Sequence, residues 1–213
     1  MNSESCGTKS HRHMSAMSNK YLVTQTLISS YGWMFKKEGG EEDFLSTLRR
    51  ESQPQTKAML DGIVFENMVQ AYCEGFPPEP THKWAKGVKE VGEIVKGGAY
   101  QVSASRELEI DGNLYVVYGK IDFLKNGIIY DTKFSTTYRL NKYFDSPQHS
   151  FYMFMIPEAR EFQYLISDGT YVYKERYEPW QCESVEKQIR EFLNYLDRHG
   201  LTETYQTNWQ SKY

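Results

Sequence analysis

The chain has 213 residues, with 25 Lys and Arg against 28 Asp and Glu and a formal net charge of −3. That length suits one domain with a real core, and the charge is not that of a strongly basic nucleic-acid-binding domain, so any basic contact must be local. No apolar run approaches the roughly 18 residues needed to cross a membrane, no secretory signal is visible, and Cys6, Cys73 and Cys182 lack the paired spacing of a zinc knuckle, iron–sulfur site or disulfide framework. A reducing cytoplasm is the expected compartment.

Residues 1–18 are rich in Ser, His and Met and show no apolar period, which reads as a disordered tail or cloning remnant; His11 and His13 are not taken as metal ligands. From there residues 19–213 read as a single domain. The spacing of Leu22, Leu27, Ile28, Tyr31 and Phe35 predicts a helix over Tyr21 to Phe35, ended near Gly39-Gly40. A second short helix is expected from Glu41 to Arg50. A third follows Pro54 and carries Met59, Ile63, Glu66, Val69 and Tyr72, closed by Gly75-Phe76-Pro77-Pro78. A fourth spans Lys83 to Lys96, with Trp84, Val88, Val91 and Val95 on one face. Its lysines, Lys83, Lys86 and Lys89, form a solvated face or a DNA contact.

The period then changes. Tyr100 to Ile110, Leu114 to Leu124 and Ile128 to Phe134 read as strands joined by Asp111-Gly112 and Asn126-Gly127, the dipeptides that best favour tight hairpin turns. A three-stranded antiparallel meander results. A helical stretch is expected from Tyr138 to Ile156, with a break allowed at Pro147. A further hairpin runs from Glu161 to Glu175, turning at Asp168-Gly169. A last amphipathic helix, Gln181 to His199, points Val185, Ile189, Phe192 and Leu196 inward.

The chemistry-bearing residues lie on the second and third strands of the meander. Side chains alternate along a strand, so Asp131 and Lys133 share a face while Thr132 points away. The Asn126-Gly127 turn brings Asp122 beside Asp131. Both acids stand in apolar runs (Ile121 and Phe123; Ile128, Ile129 and Tyr130), where an unpaired carboxylate costs several kcal/mol. Two adjacent carboxylates raise each other's pKa unless a cation lies between them, and oxygen-only ligands suit Mg²⁺ or Mn²⁺ rather than zinc. An Asp-x-Lys triplet alone is equally a salt bridge on a sheet, and the context is what favours a site.

The Gly119-x-x-Asp122 strand, the hairpin and the Asp131-x-Lys133 strand resemble the PD-(D/E)XK nuclease superfamily. Gln148-His149-Ser150-Phe151-Tyr152 resembles the Gln-x-x-x-Tyr element of its RecB-like exonuclease branch. Gly62-Ile63-Val64-Phe65-Glu66 resembles the upstream helix that offers a metal ligand there. The resemblance covers roughly Gly62 to Lys174. It implies an α+β, restriction-endonuclease-like fold: a core of about residues 55–177 with a mixed or antiparallel sheet flanked by helices, and N-terminal helices as decoration. It implies a Mg²⁺- or Mn²⁺-dependent deoxyribonuclease of exonuclease or end-processing type, with Glu66, Asp122, Asp131 and the Thr132 backbone carbonyl as metal ligands. Lys133 would be catalytic, with Gln148 and Tyr152 near the active site and DNA. The four cysteines of many RecB-like enzymes are missing, and no Walker A loop is present.

Arg139 and Lys142, flanked by Tyr138 and Tyr143, are expected phosphate contacts, since basic residues interleaved with aromatics suit single-stranded or frayed DNA. His149 is read as a phosphate contact or an ordinary packed histidine, and His82 and His199 as structural. The competing reading is a non-catalytic module of nuclease fold that binds DNA or protein, and within the enzyme class a restriction-type endonuclease. Homo-oligomerisation and a recombination partner protein stay open.

Overall fold

A computed structural model describes residues 20–36 and 38–212. Cys6, His11, His13 and the expected tail at 1–18 lie outside the described residues. The fold is α+β; the described residues form a mixed sheet of six strands with helices packed on both faces.

The sheet is built around one long strand. β2 (Ala99–Ile110), β3 (Asn113–Lys125) and β4 (Ile128–Phe134) form the expected antiparallel meander. Its turns are made by Asp111-Gly112 (φ 52° and 77°) and Asn126-Gly127 (φ 51° and 71°), so both central residues take the left-handed conformation that primed hairpin turns demand. β5 (Glu161–Ser167) pairs parallel to β4, and β6 (Val172–Tyr177) returns antiparallel to β5. β1 (Lys20–Thr24) lies parallel to β3 over Leu114 to Tyr118. One edge of β3 is therefore shared: β1 occupies its first half and β4 pairs only with Phe123, Leu124 and Lys125. Between them, from Gly119 to Asp122, that edge carries no ladder partner.

One face of the sheet is covered by α1 (Gln25–Met34), α2 (Gly40–Leu48), α5 (Gln148–Met155), α6 (Val185–Arg198) and α7 (Thr202–Asn208). The other face is covered by α3 (Lys57–Cys73) and α4 (Ala85–Val95). Thr24, Thr56 and Ser184 cap α1, α3 and α6 by accepting a backbone N–H in the first turn, which satisfies a donor the helix leaves unpaired. Val185, Ile189, Phe192 and Leu196 of α6 are buried as their spacing predicted.

Three expectations are corrected. Tyr21 to Thr24 is strand, not helix. Tyr21 and Val23 are buried while Leu22 and Thr24 are only partly so, a period of two too short to stand out beside the helix that follows. Phe35, expected on the inner face, is exposed. Residues 138–147 form turns, and helix begins only at Gln148, directly after Pro147. The N-terminal region is also more than decoration, because β1 belongs to the sheet.

The first and last described segments meet. The Leu22 N–H donates to the Trp209 carbonyl (2.6 Å), the Ser211 N–H donates to the Lys20 carbonyl (2.9 Å), and the Trp209 indole N–H donates to the Leu48 carbonyl (2.8 Å). The outer edge of β1 is thus covered by the C-terminal segment.

Candidate active site

The gap in the β3 edge is where the acids gather. If the β3–β4 ladder continued one step past Phe123 and Tyr130, Asp122 would stand directly opposite Asp131. Instead the strands part, and the Asp122 carboxylate fills the opening. Its Oδ2 accepts the Thr132 backbone N–H (2.8 Å) and the Thr132 hydroxyl (3.1 Å). In a strand the N–H and C=O of one residue face the same neighbour, so the Thr132 carbonyl also faces this gap.

A backbone irregularity places Asp122 there. Val102 and Ile121 belong to the core under α5, while Tyr100 and Phe123, two residues along each strand, belong to the core under α3. Residues two apart on a regular strand share a face. The face switches because Gln101, across from Asp122, takes the left-handed conformation (φ 53°), which is unusual for a non-glycine residue. Gln101 uses its side chain at the site, since its Nε2 donates to Glu66 Oε1. The Tyr100 hydroxyl donates to the same oxygen (3.1 Å). Gln101 carries no sequence signal; only the register shows it.

Asp131 is buried, at 1% exposure. Its Oδ1 accepts the Gln148 side-chain amide, and Lys133 Nζ lies 2.6 Å from Oδ2. That approach lies off the hydrogen-bonding direction, so Oδ2 has an ionic partner and no aligned donor. Burial, followed by the charges of Asp131 and Glu66, pushes the Asp122 carboxyl well above the usual carboxylate range, against the pull of Lys133 and the Thr132 N–H. Burial also raises Asp131, while Lys133 and Gln148 oppose it. Burial alone would lower the Lys133 pKa, but Asp131 and Asp122 outweigh it and hold the ammonium protonated. The site is short of positive charge.

The Gln-x-x-x-Tyr element acts as a clamp. Residues four apart share a helix face, and on α5 Gln148 reaches Asp131 on β4 while the Tyr152 hydroxyl donates to the Lys120 carbonyl on β3 (2.8 Å). One helix face thereby holds the two parting strands in register. Gly119 has a matching reason: a Cβ there would meet Tyr152 Cε1 at 2.7 Å and Met155 Cε at 2.8 Å. Tyr152 is 5% exposed and its hydroxyl is spent on backbone, so its expected DNA contact is replaced by a positioning role. Gln148 also positions, although it borders the cavity described next.

A cavity of about 330 Å³ opens on Lys133 and Gln148. Its walls come from α1, through Gln25, Ser29 and Trp33, and from the 138–147 turn, through Lys142 and Tyr143. The helix expected to be decoration is a wall of the site. The turn is held by the buried Glu175, which accepts the Tyr138 and Tyr177 hydroxyls (both 3.0 Å) and the Tyr143 N–H (3.3 Å). Lys142 lines the cavity and donates to the Ser135 hydroxyl (2.9 Å), whereas Arg139 is exposed outside its lining. Of the α4 lysines, Lys83 and Lys86 lie over the rings of Trp84 and Tyr171.

His149 is buried, at 4% exposure, and its ring stacks on Tyr177 with centroids 4.1 Å apart. Burial lowers its pKa to about 4 from the usual 6.5, so at neutral pH it is uncharged and offers a phosphate no ion pair. The unfolded chain protonates first as pH falls. This contribution to stability is complete above about 6.5 and is lost towards about pH 4, amounting to about 3 kcal/mol at 1.36 kcal/mol per unit. Denaturant unfolding of wild type and His149→Phe across that range is expected to show a shallower pH slope in the variant. Parallel curves would refute the assignment.

Among the described residues, no three carboxylate, histidine or cysteine side chains are already gathered as a metal-binding group. Each acid instead leans on a protein partner: Glu66 on Tyr100 and Gln101, Asp122 on Thr132, and Asp131 on Lys133 and Gln148. Even so, Glu66 and Asp131 both repel charge on Asp122, so the acids face one locality. The donor set fits a hard divalent cation: oxygen ligands only, a buried Asp131 oxygen without an aligned donor, and acids whose repulsion a cation would relieve.

No protein-family model matches the chain, and no curated protein matches it. Among solved structures it is similar to one described as "Crystal structure of SSO0001", with a TM-score of 0.55 and 12% identity over 87% of this chain and 80% of that one. A likeness at that identity concerns the fold alone. Among the described residues, no helix is long and apolar enough to cross a membrane.

Proposed function

We propose that the chain is a metal-dependent phosphodiesterase. More particularly, we read it as a deoxyribonuclease of exonuclease or end-processing type, with a restriction-endonuclease-like core. The observation that carries this reading is the Asp122–Asp131–Lys133 group at the parting of β3 and β4, clamped from both strands by Gln148 and Tyr152.

Asp122, Asp131, Glu66 and the Thr132 carbonyl would hold Mg²⁺ or Mn²⁺, and a bound ion there supplies Lewis acidity and a water of lowered pKa. Lys133 carries a fixed positive charge at the cavity floor, where it orients the attacking water and offsets charge building on the phosphate oxygens. Lys142 gives the entering phosphodiester a second cation on the same wall. Gln148 and Tyr152 keep the carboxylates in register, and Gln148 also borders the cavity that would receive the substrate. Tyr100 and Gln101 hold the α3 acid toward Asp122.

The test is degradation of linear double- and single-stranded DNA with Mg²⁺, Mn²⁺ or EDTA, with circular plasmid as comparison. Metal-dependent loss of linear DNA with the circle left intact is expected. Cutting of the circle would move the reading to an endonuclease. DNA binding without any metal-dependent cleavage would move it to a non-catalytic module.

A further inference from the structure

The tyrosines around the catalytic cavity differ in what their hydroxyls do. Those of Tyr138 and Tyr177 donate to Glu175, and that of Tyr152 donates to the Lys120 carbonyl. Tyr143 lines the cavity beside Lys133, Lys142 and Gln148. Among the described residues no protein group bonds its hydroxyl, and that oxygen is not sealed from solvent, unlike the one on the neighbouring Tyr164. It is therefore open to whatever enters the cavity.

The ring that carries this hydroxyl is nevertheless held. It stacks on Tyr164, with centroids 4.7 Å apart and planes inclined by 26°, and Tyr164 is fully buried. Tyr164 pairs with Asp131 across β4 and β5, so the stack rests on the strand beside the one that bears Asp131 and Lys133. The Tyr143 N–H donates to Glu175 (3.3 Å), which fixes the backbone as well. The phenol also feels the charges of the site. Burial raises its pKa, Lys133 pulls it down, and Asp131 and Glu175 raise it further, so it keeps its proton at neutral pH and is a donor there. Tyr143 in turn joins Asp131 and Asp122 in holding the Lys133 proton against burial.

We propose that Tyr143 is a further catalytic residue, its hydroxyl donating a hydrogen bond to a nonbridging oxygen of the phosphodiester bound against Lys133. This deepens the nuclease reading and rests on it for the identity of the substrate. A cavity that presents the ammonium groups of Lys133 and Lys142 suits a phosphate, and tyrosine hydroxyls are among the groups that contact phosphate oxygens. The lysines supply charge on flexible stems, whereas a hydroxyl on a stacked ring supplies direction. The 138–147 turn, anchored by Glu175, thereby brings a working group to the site as well as a wall.

The test is Tyr143→Phe, which removes the hydroxyl and keeps the stacked ring. With Mg²⁺, kcat/KM for linear DNA is expected to fall about 10–100-fold, the scale of one hydrogen bond to a charged group. Melting temperature in EDTA and Mn²⁺ affinity by calorimetry should match wild type. Binding of short single-stranded oligonucleotides in EDTA, followed by fluorescence anisotropy, should weaken equally for different sequences, because a phosphate contact carries no sequence information. Cleavage within about threefold of wild type overturns the contact, since a bond to a charged group is worth more. A loss matched by weaker Mn²⁺ binding or a lower melting temperature also overturns it, leaving Tyr143 as a packing residue, and so does weakening for one sequence only. The two readings fail separately. Metal-dependent cleavage that is equal in both proteins removes only the contact. Weaker single-strand binding by the variant of a protein that cleaves nothing supports the phosphate contact and removes the nuclease, and a wild type that neither binds nor cleaves removes both.

Discussion

Lys133→Ala is expected to lower kcat/KM for linear DNA by about 10²–10⁴-fold, the range typical of a lost group that transfers a proton or stabilises transition-state charge. The size follows from its setting. Lys133 is the cation paired with the buried Asp131, and both acids hold it protonated on the cavity floor. The fold should survive, because the side chain is 29% exposed and Asp131 keeps its bond from Gln148. Circular dichroism and thermal unfolding would establish that the loss is chemical. A rate within about threefold of wild type would leave Lys133 as a lysine that only balances the charge of the buried Asp131.

Asp122→Asn should separate stability from function. The amide oxygen can still accept from Thr132, so the packing is kept. The folded-state pKa of Asp122 is raised, so its contribution to stability is present below the unfolded carboxylate pKa and is lost as pH rises through the folded value. The metal-free wild type therefore bears at neutral pH the cost of burying a carboxyl that would ionise freely in the unfolded chain, a cost that an uncharged amide does not carry. The variant is expected to melt higher without metal, by about 2–4 °C for each kcal/mol relieved in a protein of this size. Mn²⁺ should invert the order. At a hundredfold excess over its dissociation constant a bound ion adds about 2.7 kcal/mol to the wild type, and the variant should gain little. Cleavage should fall by about 10³-fold or more, since the ion, its bound water and the charge balance are lost at once. Calorimetric scans with EDTA and with Mn²⁺ would decide the matter. Equal Mn²⁺ stabilisation of both proteins would remove Asp122 from the metal site.

Much of this site is legible in the order of residues because its parts are local. Asp111-Gly112 and Asn126-Gly127 specify their turns through backbone preference alone, and the second of them brings Asp122 toward Asp131. The spacing of four between Gln148 and Tyr152 announces a shared helix face, and the face clamps the two strands. What was hidden depends on partners distant in the chain. Tyr21 to Thr24 becomes a strand because β3, some ninety residues on, offers an edge. The switch of faces at Gln101 arises from pairing, and no propensity of glutamine announces it. The 138–147 segment looks helical until Glu175, from another strand, gathers Tyr138 and Tyr143 into a turn. The position of α1 beside Lys133 follows from β1, and so could not be inferred before β1 was known.

The contact between residues 20–22 and 209–211 ties the two ends of the described segment together. β1 is gripped on one side by β3 and on the other by the segment around Trp209, and α1 follows β1 directly from its Thr24 cap. The α1 wall of the cavity beside Lys133 is thus moored by the segment 209–211, far along the chain from any of the acids. Trimming those residues would therefore loosen substrate positioning before it touched the chemistry, and the lesion would show in binding while Asp122, Asp131 and Lys133 stayed in place.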